Sequence, residues 1–296
     1  MSGFRTIVIN KRAKLESLLG MLIIRSDKEE RVYISEIETL IIESTAVAVT
    51  AALIVDLTEA GVNIVFCDRR HFPTSIFTPV HSHHSCAKNI REQINWDKDI
   101  QLTCWKKIIQ EKIRQQAFAL TVINKLKPAS ALNAMIEKVR DGDPDNFEGM
   151  AARLYFVHMF GEDFSRNTLR IENSALNYGY TLILSSFVRE IVASGYITEI
   201  GIWHRRAENP YNLASDLMEP FRIIVDILVY EMPLNEEANF KHYMLKVLSS
   251  QIEIDGDRQS FVYAIRVYLR KVFRFLNGET DNILSINIVR DSQNEL

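Results

Sequence analysis

Short apolar runs, separated by charged or small residues, fill the first part of the chain. Thr6–Ile9, Met21–Ile24, Val32–Ile34 and Thr39–Ile42 are rich in β-branched side chains, and Gly20, Asp27–Glu30 and Glu43–Ser44 punctuate them. That pattern predicts strands. Val47–Glu59 carries a helical pattern which Gly61 ends, and Val62–Phe66 returns to strand. One helix among closely spaced strands predicts a small β-sandwich-like domain with a helix against it.

The periodicity changes after Pro73–Ser85, a stretch with two of the seven prolines and with His81, His83 and His84. From Ala87 onward, Ile90, Ile94, Ile100, Trp105, Ile108, Ile109, Ile113, Phe118, Val122 and Leu126 recur at roughly helical spacing. Pro128 and Asp141–Asn146 are breaks. Further helical patterns cover 148–160, 172–194, 216–231, 236–252 and 258–276. The expectation is an α+β chain. An N-terminal β-domain spans 1–85, a larger all-α domain spans 86–276, and a polar tail spans 277–296.

Composition narrows the function classes. The 296 residues are 47% hydrophobic and 25% charged, which excludes a disordered, collagen-like or coiled-coil chain. Lys+Arg 35 against Asp+Glu 38 gives a net charge of −3, so nucleic-acid binding must come from local basic patches. Cys67, Cys86 and Cys104 are odd in number and form no C-x-x-C, which fits a reducing cytosol. The start has no cationic region followed by an apolar core, so no signal peptide is expected. The longest apolar run, Val47–Asp56, is interrupted by Thr50, far below the ~18 residues of a membrane span. No Walker-type or dinucleotide-type glycine loop is present, which argues against a nucleotide cofactor.

Three fragments carry candidate chemistry. Glu148 sits where the turn-forming stretch to Asn146 becomes a helix. Its structural reading is a carboxylate at a helix N-terminus, but the small residues Gly149, Ala151 and Ala152 would let another helix enclose it. His204 follows Trp203 and precedes Arg205 and Arg206, and reads as a hydrogen-bonded imidazole, a metal ligand or a proton donor. Asp216 and Glu219 share a helical face. Their D-x-x-E spacing resembles a capping box with Asp216 as N-cap, and Pro220 suits an early helical position. Together, two carboxylates and an imidazole on separate segments suit one divalent ion. Such a set favours Mg2+ or Mn2+, the imidazole tilting slightly toward manganese, and the ion suits phosphodiester chemistry.

These fragments, in the order Glu148-Gly-x-Ala-Ala-Arg153, Asn177-Tyr-Gly-Tyr180, His204 and Asp216-Leu-Met-Glu219-Pro-Phe-Arg222, resemble the large subunit of the CRISPR-associated spacer-acquisition integrase. The resemblance spans nearly the whole chain. Asn209–Asp216 is most similar to the type II systems. The resemblance implies Glu148, His204 and Glu219 as metal ligands and catalytic residues, with Asp216 as a supporting acid. Many family members have Asp where Glu219 stands. It further implies a homodimer contacting through the β-domain. Two such dimers would clamp a dimer of a small ferredoxin-like subunit, giving a heterohexamer on DNA in the bacterial cytoplasm. The 3′-hydroxyls of a DNA fragment would attack the CRISPR repeat by transesterification, and the same site would show endonuclease activity.

Basic residues fit this reading. Arg266, Arg270 and Arg274 recur every four residues and form a stripe, read as solvated surface or as a phosphate track. Lys106, Lys107, Lys112 and Arg114 are a weaker candidate, diluted by Glu111. Arg205, Arg206 and Arg222 are the preferred phosphate contacts beside the site, and Tyr178 and Tyr180 read either as stacking on DNA or as core packing. His81, His83, His84 and Cys86 have zinc-ligand types, yet no second Cys/His pair completes a site, so the stretch reads as a linker. The competing functions are a metal-dependent DNA endonuclease in repair and a non-catalytic DNA-binding scaffold whose carboxylates only cap helices.

Overall fold

The computed structural model describes residues 5–77, 85–233, 239–254, 256–281 and 286–289. The chain divides into two compact units, 1–81 and 82–296. His81, His83 and His84 lie outside the described residues.

The first unit is strand-rich. It contains β1 (Arg5–Ile9), β2 (Ala13–Leu18), β3 (Met21–Arg25), β4 (Glu29–Tyr33), β5 (Ile37–Ile42), β6 (Val47–Val49), β7 (Asn63–Cys67), β8 (Pro73–Phe77) and the helix α1 (Ala51–Glu59). Two four-stranded sheets form, ordered β1-β5-β7-β8 and β4-β3-β2-β6. β5 runs parallel to both of its neighbours and is buried at all positions. Coverage on both faces explains its continuous apolar end, Leu40–Ile42. Leu15, Leu22, Leu40, Leu53, Leu57 and Ile64 form the centre of this unit's core.

The helix expected from Val47 starts at Ala51. Val47–Val49 pairs instead with Ala13–Leu15 as β6, a ladder suited to β-branched residues. Thr50 caps α1, its Oγ1 accepting the Leu53 N–H at 3.3 Å.

The second unit is mainly helical. Its helices are α2 (Cys86–Ile94), α3 (Lys98–Val122), α4 (Leu126–Ile136), α5 (Phe147–Phe160), α6 (Ile171–Ala193), α7 (Asn212–Leu217), α8 (Ile223–Glu231), α9 (Phe240–Met244) and α10 (Phe261–Leu276). The long α3 buries Trp105, Ile108, Ile109, Ile113 and Leu120 and packs against α4, α5 and α10. Helices α6 and α8 approach closely at Gly179, where a Cβ would stand 2.5 Å from Val225.

The expected all-α character of 86–276 is corrected by a small antiparallel sheet, β10-β9-β11. It comprises β9 (Gln251–Ile254), β10 (Asp257–Ser260) and β11 (Ile286–Val289). Gln251–Ile254 alternates polar and apolar, and Gly256 takes a φ of 84°, so the chain turns back as a hairpin. β11 lies inside the segment expected to be a polar tail. The helix expected over 216–231 is likewise broken: α7 gives way to a 3-10 turn, Glu219–Phe221, before α8. Pro220, which has no N–H, sits at that break. No described helix is long and apolar enough to cross a membrane.

Candidate active site

Glu148 enters the site from the first turn of α5, and other residues do the capping there. Asn146 takes a left-handed φ of 55° and its Oδ1 accepts the Gly149 N–H at 3.1 Å. Asp143 accepts the N–H groups of Phe147 and Glu148 at 2.8 and 2.9 Å. The Glu148 carboxylate is left for another partner, the ammonium of Lys112 at 2.7 Å.

Lys112 projects from α3 and reaches a second carboxylate. Its Nζ lies 2.7 Å from Glu219 Oε2, while Arg222 Nε lies 3.0 Å from Glu219 Oε1. Burial alone would drive the Glu219 pKa up, but Arg222 and Lys112 outweigh it and hold the carboxyl below its usual value. Burial likewise would lower the Lys112 pKa, yet Glu219 and Glu148 raise it. Glu219 and Lys112 are therefore both charged at neutral pH.

His204 is fixed by Asp216. The chain from Gly201 to His204 wraps around the Asp216 carboxylate, which is wholly buried. Oδ2 accepts the N–H groups of Ile202 and Trp203 at 2.7 and 2.8 Å. Oδ1 meets the His204 backbone nitrogen at 3.2 Å and its ring Nδ1 at 2.5 Å. A Cβ on Gly201 would stand 2.7 Å from Asp216 Oδ2 and 2.5 Å from the His204 carbonyl oxygen, so only glycine lets the loop close this tightly. Trp105 meets the imidazole edge-on at 5.7 Å and stacks on Trp203.

The capping-box reading of Asp216 is thereby corrected. Asp216 lies inside α7, whose N-cap position is Tyr211, and its carboxylate faces the 202–204 backbone. With Nδ1 committed to Asp216, Nε2 is the ring's remaining ligand atom, the usual arrangement behind a metal-binding histidine.

The donor set suits a hard divalent ion. Glu219 Oε2 is buried and receives no aligned hydrogen bond, although Lys112 pairs with it by charge. Among the described residues, no three His, Cys, Asp or Glu side chains converge closely enough to share an ion as they stand. The ammonium occupies the gap between the two carboxylates. His204 nevertheless feels both: its pKa is raised first by the Asp216 hydrogen bond, against burial, with smaller contributions from Glu219 and Glu148.

Two cavities open here. One, of about 160 Å³, is lined by Lys112, Gln116, Arg166, Tyr180, Arg222 and Asp226 among others. Arg166 and Arg222 both lie over the Tyr180 ring, at 5.4 and 4.7 Å. The Tyr180 hydroxyl donates to the buried Asp226. The other, of about 780 Å³, is lined by His204, Arg205, Arg206 and Trp96 among others.

Other expected DNA contacts divide. Arg205 and Arg206 are exposed, as are Arg270 and Arg274 on α10. Arg266 leaves the exposed stripe, because it forms a two-point bond with the buried Glu190 at 3.0 and 3.1 Å, and Arg274 pairs with Glu279 at 3.2 Å. Tyr178 is corrected outright: it is 1% exposed and packs edge-on against Phe240, where no DNA base can reach. Arg222 is part-buried on Glu219 and so acts first as that carboxylate's counterion. Lys106 pairs with Asp141, Lys107 lies over the Phe275 ring, and Arg114 pairs with Glu111.

Known proteins place this geometry in a lineage. The CRISPR-associated endonuclease Cas1 of Neisseria meningitidis serogroup C (strain 8013) is 32% identical over 285 residues, covering 94% of this chain and 93% of that protein. A solved casposase bound to integration product superposes with a TM-score of 0.76 at 20% identity, covering 94% of this chain and 92% of that one. A Cas6-RT-Cas1–Cas2 complex shares the fold with a TM-score of 0.70 at 16% identity, over 94% of this chain and 35% of that one. Residues 6–256 match the family described as CRISPR associated protein Cas1. The chain belongs to the Cas1 family.

Proposed function

We propose that this chain is the metal-dependent DNA integrase of CRISPR adaptation, joining the 3′-hydroxyl ends of a short DNA fragment to the CRISPR repeat. The observation that carries the reading is the gathering of Glu148 and Glu219 around one cation, beside an imidazole oriented by Asp216. Glu148, His204 and Glu219 would hold Mg2+ or Mn2+. The bound ion would polarise the target phosphate and stabilise its departing oxygen.

This chain's own residues do the rest. Asp216 fixes the His204 tautomer so that Nε2 keeps its lone pair. Arg222 holds Glu219 ionised, as a ligand must be. Exposed Arg205 and Arg206, lining the larger cavity with His204, would grip the DNA backbone. In the reaction the fragment's 3′-hydroxyl loses its proton and its oxygen bonds to a repeat phosphorus. The bond from that phosphorus to the departing 3′-oxygen breaks, and the departing oxygen takes up a proton. One phosphodiester forms for each one broken, so no nucleotide cofactor is consumed. With water as the nucleophile, the same site acts as an endonuclease.

The assembly is a homodimer in the bacterial cytoplasm, with a small ferredoxin-like partner completing a heterohexamer on DNA. The solved Cas6-RT-Cas1–Cas2 complex, a chain of which shares the fold, supports a partner of the Cas2 kind. Against the scaffold alternative, Asp216 does not cap a helix and Glu148 is not needed as a cap.

The test is strand transfer of a fragment with free 3′-hydroxyls into a supercoiled repeat plasmid at varied Mn2+. Glu148→Gln, His204→Ala and Glu219→Gln should each abolish joining while DNA binding persists. Normal joining by Glu219→Gln would remove that residue from the ligand set. Cleavage without joining by the wild type would favour the repair nuclease.

A further inference from the structure

We propose that Lys112 and the divalent ion replace one another: the ammonium holds Glu148 and Glu219 together in the metal-free site and leaves them as the ion enters. This rests on the reading of Glu148, His204 and Glu219 as the ligand set.

The geometry makes the two occupants mutually exclusive. Nζ stands 2.7 Å from an oxygen of each carboxylate. A magnesium or manganese ion must sit about 2.0–2.2 Å from the same oxygens. An ammonium has no lone pair to ligate the ion and cannot share that space. Lys112 is not a surface lysine that drifted inward, since its side chain is only 14% exposed and comes from the middle of α3.

Charge leads to the same exchange. Lys112 and Arg222 together leave the carboxylates of Glu148, Asp216 and Glu219 one charge short of neutrality. A divalent ion added beside a resident ammonium would overshoot, and at this separation the repulsion between them is large. The displaced ammonium has a destination, because Lys112 also lines the cavity of about 160 Å³ with Gln116, Arg166 and Arg222. There it meets the guanidinium groups of Arg166 and Arg222 alongside the Glu219 and Asp226 carboxylates, and a phosphate entering the cavity would be held by the three cations. Metal loading and DNA binding therefore support each other. DNA supplies the anion that accepts the released ammonium, and without DNA the lysine opposes metal entry.

The experiment is Mn2+ titration of the full chain by calorimetry, without DNA, for the wild type, Lys112→Met, Lys112→Arg and Glu219→Gln. Lys112→Met should bind Mn2+ at least about tenfold more tightly than wild type. Lys112→Arg, which keeps the charge, should bind no more tightly than wild type. Glu219→Gln should lose saturable binding. A second measurement needs no variant: acetylation of Lys112 by an amine-selective reagent, read by mass spectrometry, should be slow in chelator and severalfold faster in saturating Mg2+. Equal or weaker Mn2+ binding by Lys112→Met, or acetylation unchanged by Mg2+, overturns the exchange. Saturable Mn2+ binding that survives Glu219→Gln overturns the ligand set itself, and the exchange with it.

Discussion

Asp216 holds His204 at two points, the backbone nitrogen at 3.2 Å and the ring Nδ1 at 2.5 Å. One carboxylate thus sets both the path of the chain and the orientation of the imidazole. Asp216→Asn would place an NH2 group against donors on one side or the other. It should cost about 2–3 kcal/mol, and Asp216→Ala about 3–5 kcal/mol, because buried N–H groups lose their only strong acceptor. Both should lose strand transfer. Urea unfolding and the joining assay on the same samples measure the two effects.

His204 gives the protein a pH-dependent contribution to stability. Its folded pKa is raised above 6.5, chiefly by the Asp216 hydrogen bond, against the opposing effect of burial. The folded state thus binds the extra proton more readily than the unfolded chain. The contribution is complete below pH 6.5 and disappears as pH climbs through the folded pKa. The stability gap between wild type and His204→Gln should be widest in mild acid and narrow toward alkaline pH. A gap that widened with pH would mean that burial outweighs Asp216.

Asp226 works in the opposite sense. Burial pushes its carboxyl up to about 6, despite the hydrogen bond from the Tyr180 hydroxyl. An unfolded aspartate titrates at 3.8. Between those values the folded state binds more protons, so stability falls as pH rises. Ionising Asp226 should cost about 2 kcal/mol by pH 7 relative to pH 4. Asp226→Asn removes that dependence and should gain on wild type as pH rises from 4 to 7, followed by denaturant unfolding at each pH.

The α10 arginines should separate by substitution. Arg270→Ala combined with Arg274→Ala should lower the salt dependence of DNA binding by about two phosphate contacts, with little change in melting. Arg266→Ala should instead destabilise by about 1–3 kcal/mol, because the buried Glu190 loses its two-point partner, keeping the Arg189 contact at 3.0 Å. Fluorescence anisotropy across a salt series, alongside thermal melting, tells the two classes apart.

Gly201→Ala tests the loop around Asp216. The added methyl would collide with both Asp216 Oδ2 and the His204 carbonyl oxygen. It should cost about 1–3 kcal/mol and lower Mn2+-dependent joining. Melting and joining both unchanged would mean that the loop relaxes freely.

Much of this was legible in the sequence. The β-branched runs gave β1, β3, β5 and β7, and helical spacing gave α5, α6 and α10. β2 stayed hidden because Ala13–Leu18 has little β propensity, and only its alternate burial beside β3 makes it a strand. β9 and β10 were absorbed into neighbouring helical patterns because four residues carry too little period. Glu148, His204, Asp216 and Glu219 could be named because charge next to turn chemistry is conspicuous. The role of Asp216 could not, since D-x-x-E spacing is compatible with a cap until the 202–204 backbone is seen. Lys112 looked like one of several lysines on a long helix. What distinguishes it is contact with residues 36 and 107 positions away, which no local pattern encodes. Tyr178 and Tyr180 differ by two residues, yet one is sealed in the core and the other lines a cavity.

The aromatic surroundings of His204 also make the protein its own optical probe. The chain has three tryptophans. Trp105 meets the imidazole edge-on, Trp203 stacks on Trp105 at 5.6 Å, and Trp96 lines the cavity that His204 also lines. Two of the three indoles, Trp105 and Trp203, therefore sit beside the imidazole, while Trp96 packs against Tyr196 and Phe273 on the wall of the larger cavity. Intrinsic emission excited in the indole band carries a large contribution from that neighbourhood, so the arrival of an ion or a strand can be followed without attaching a dye.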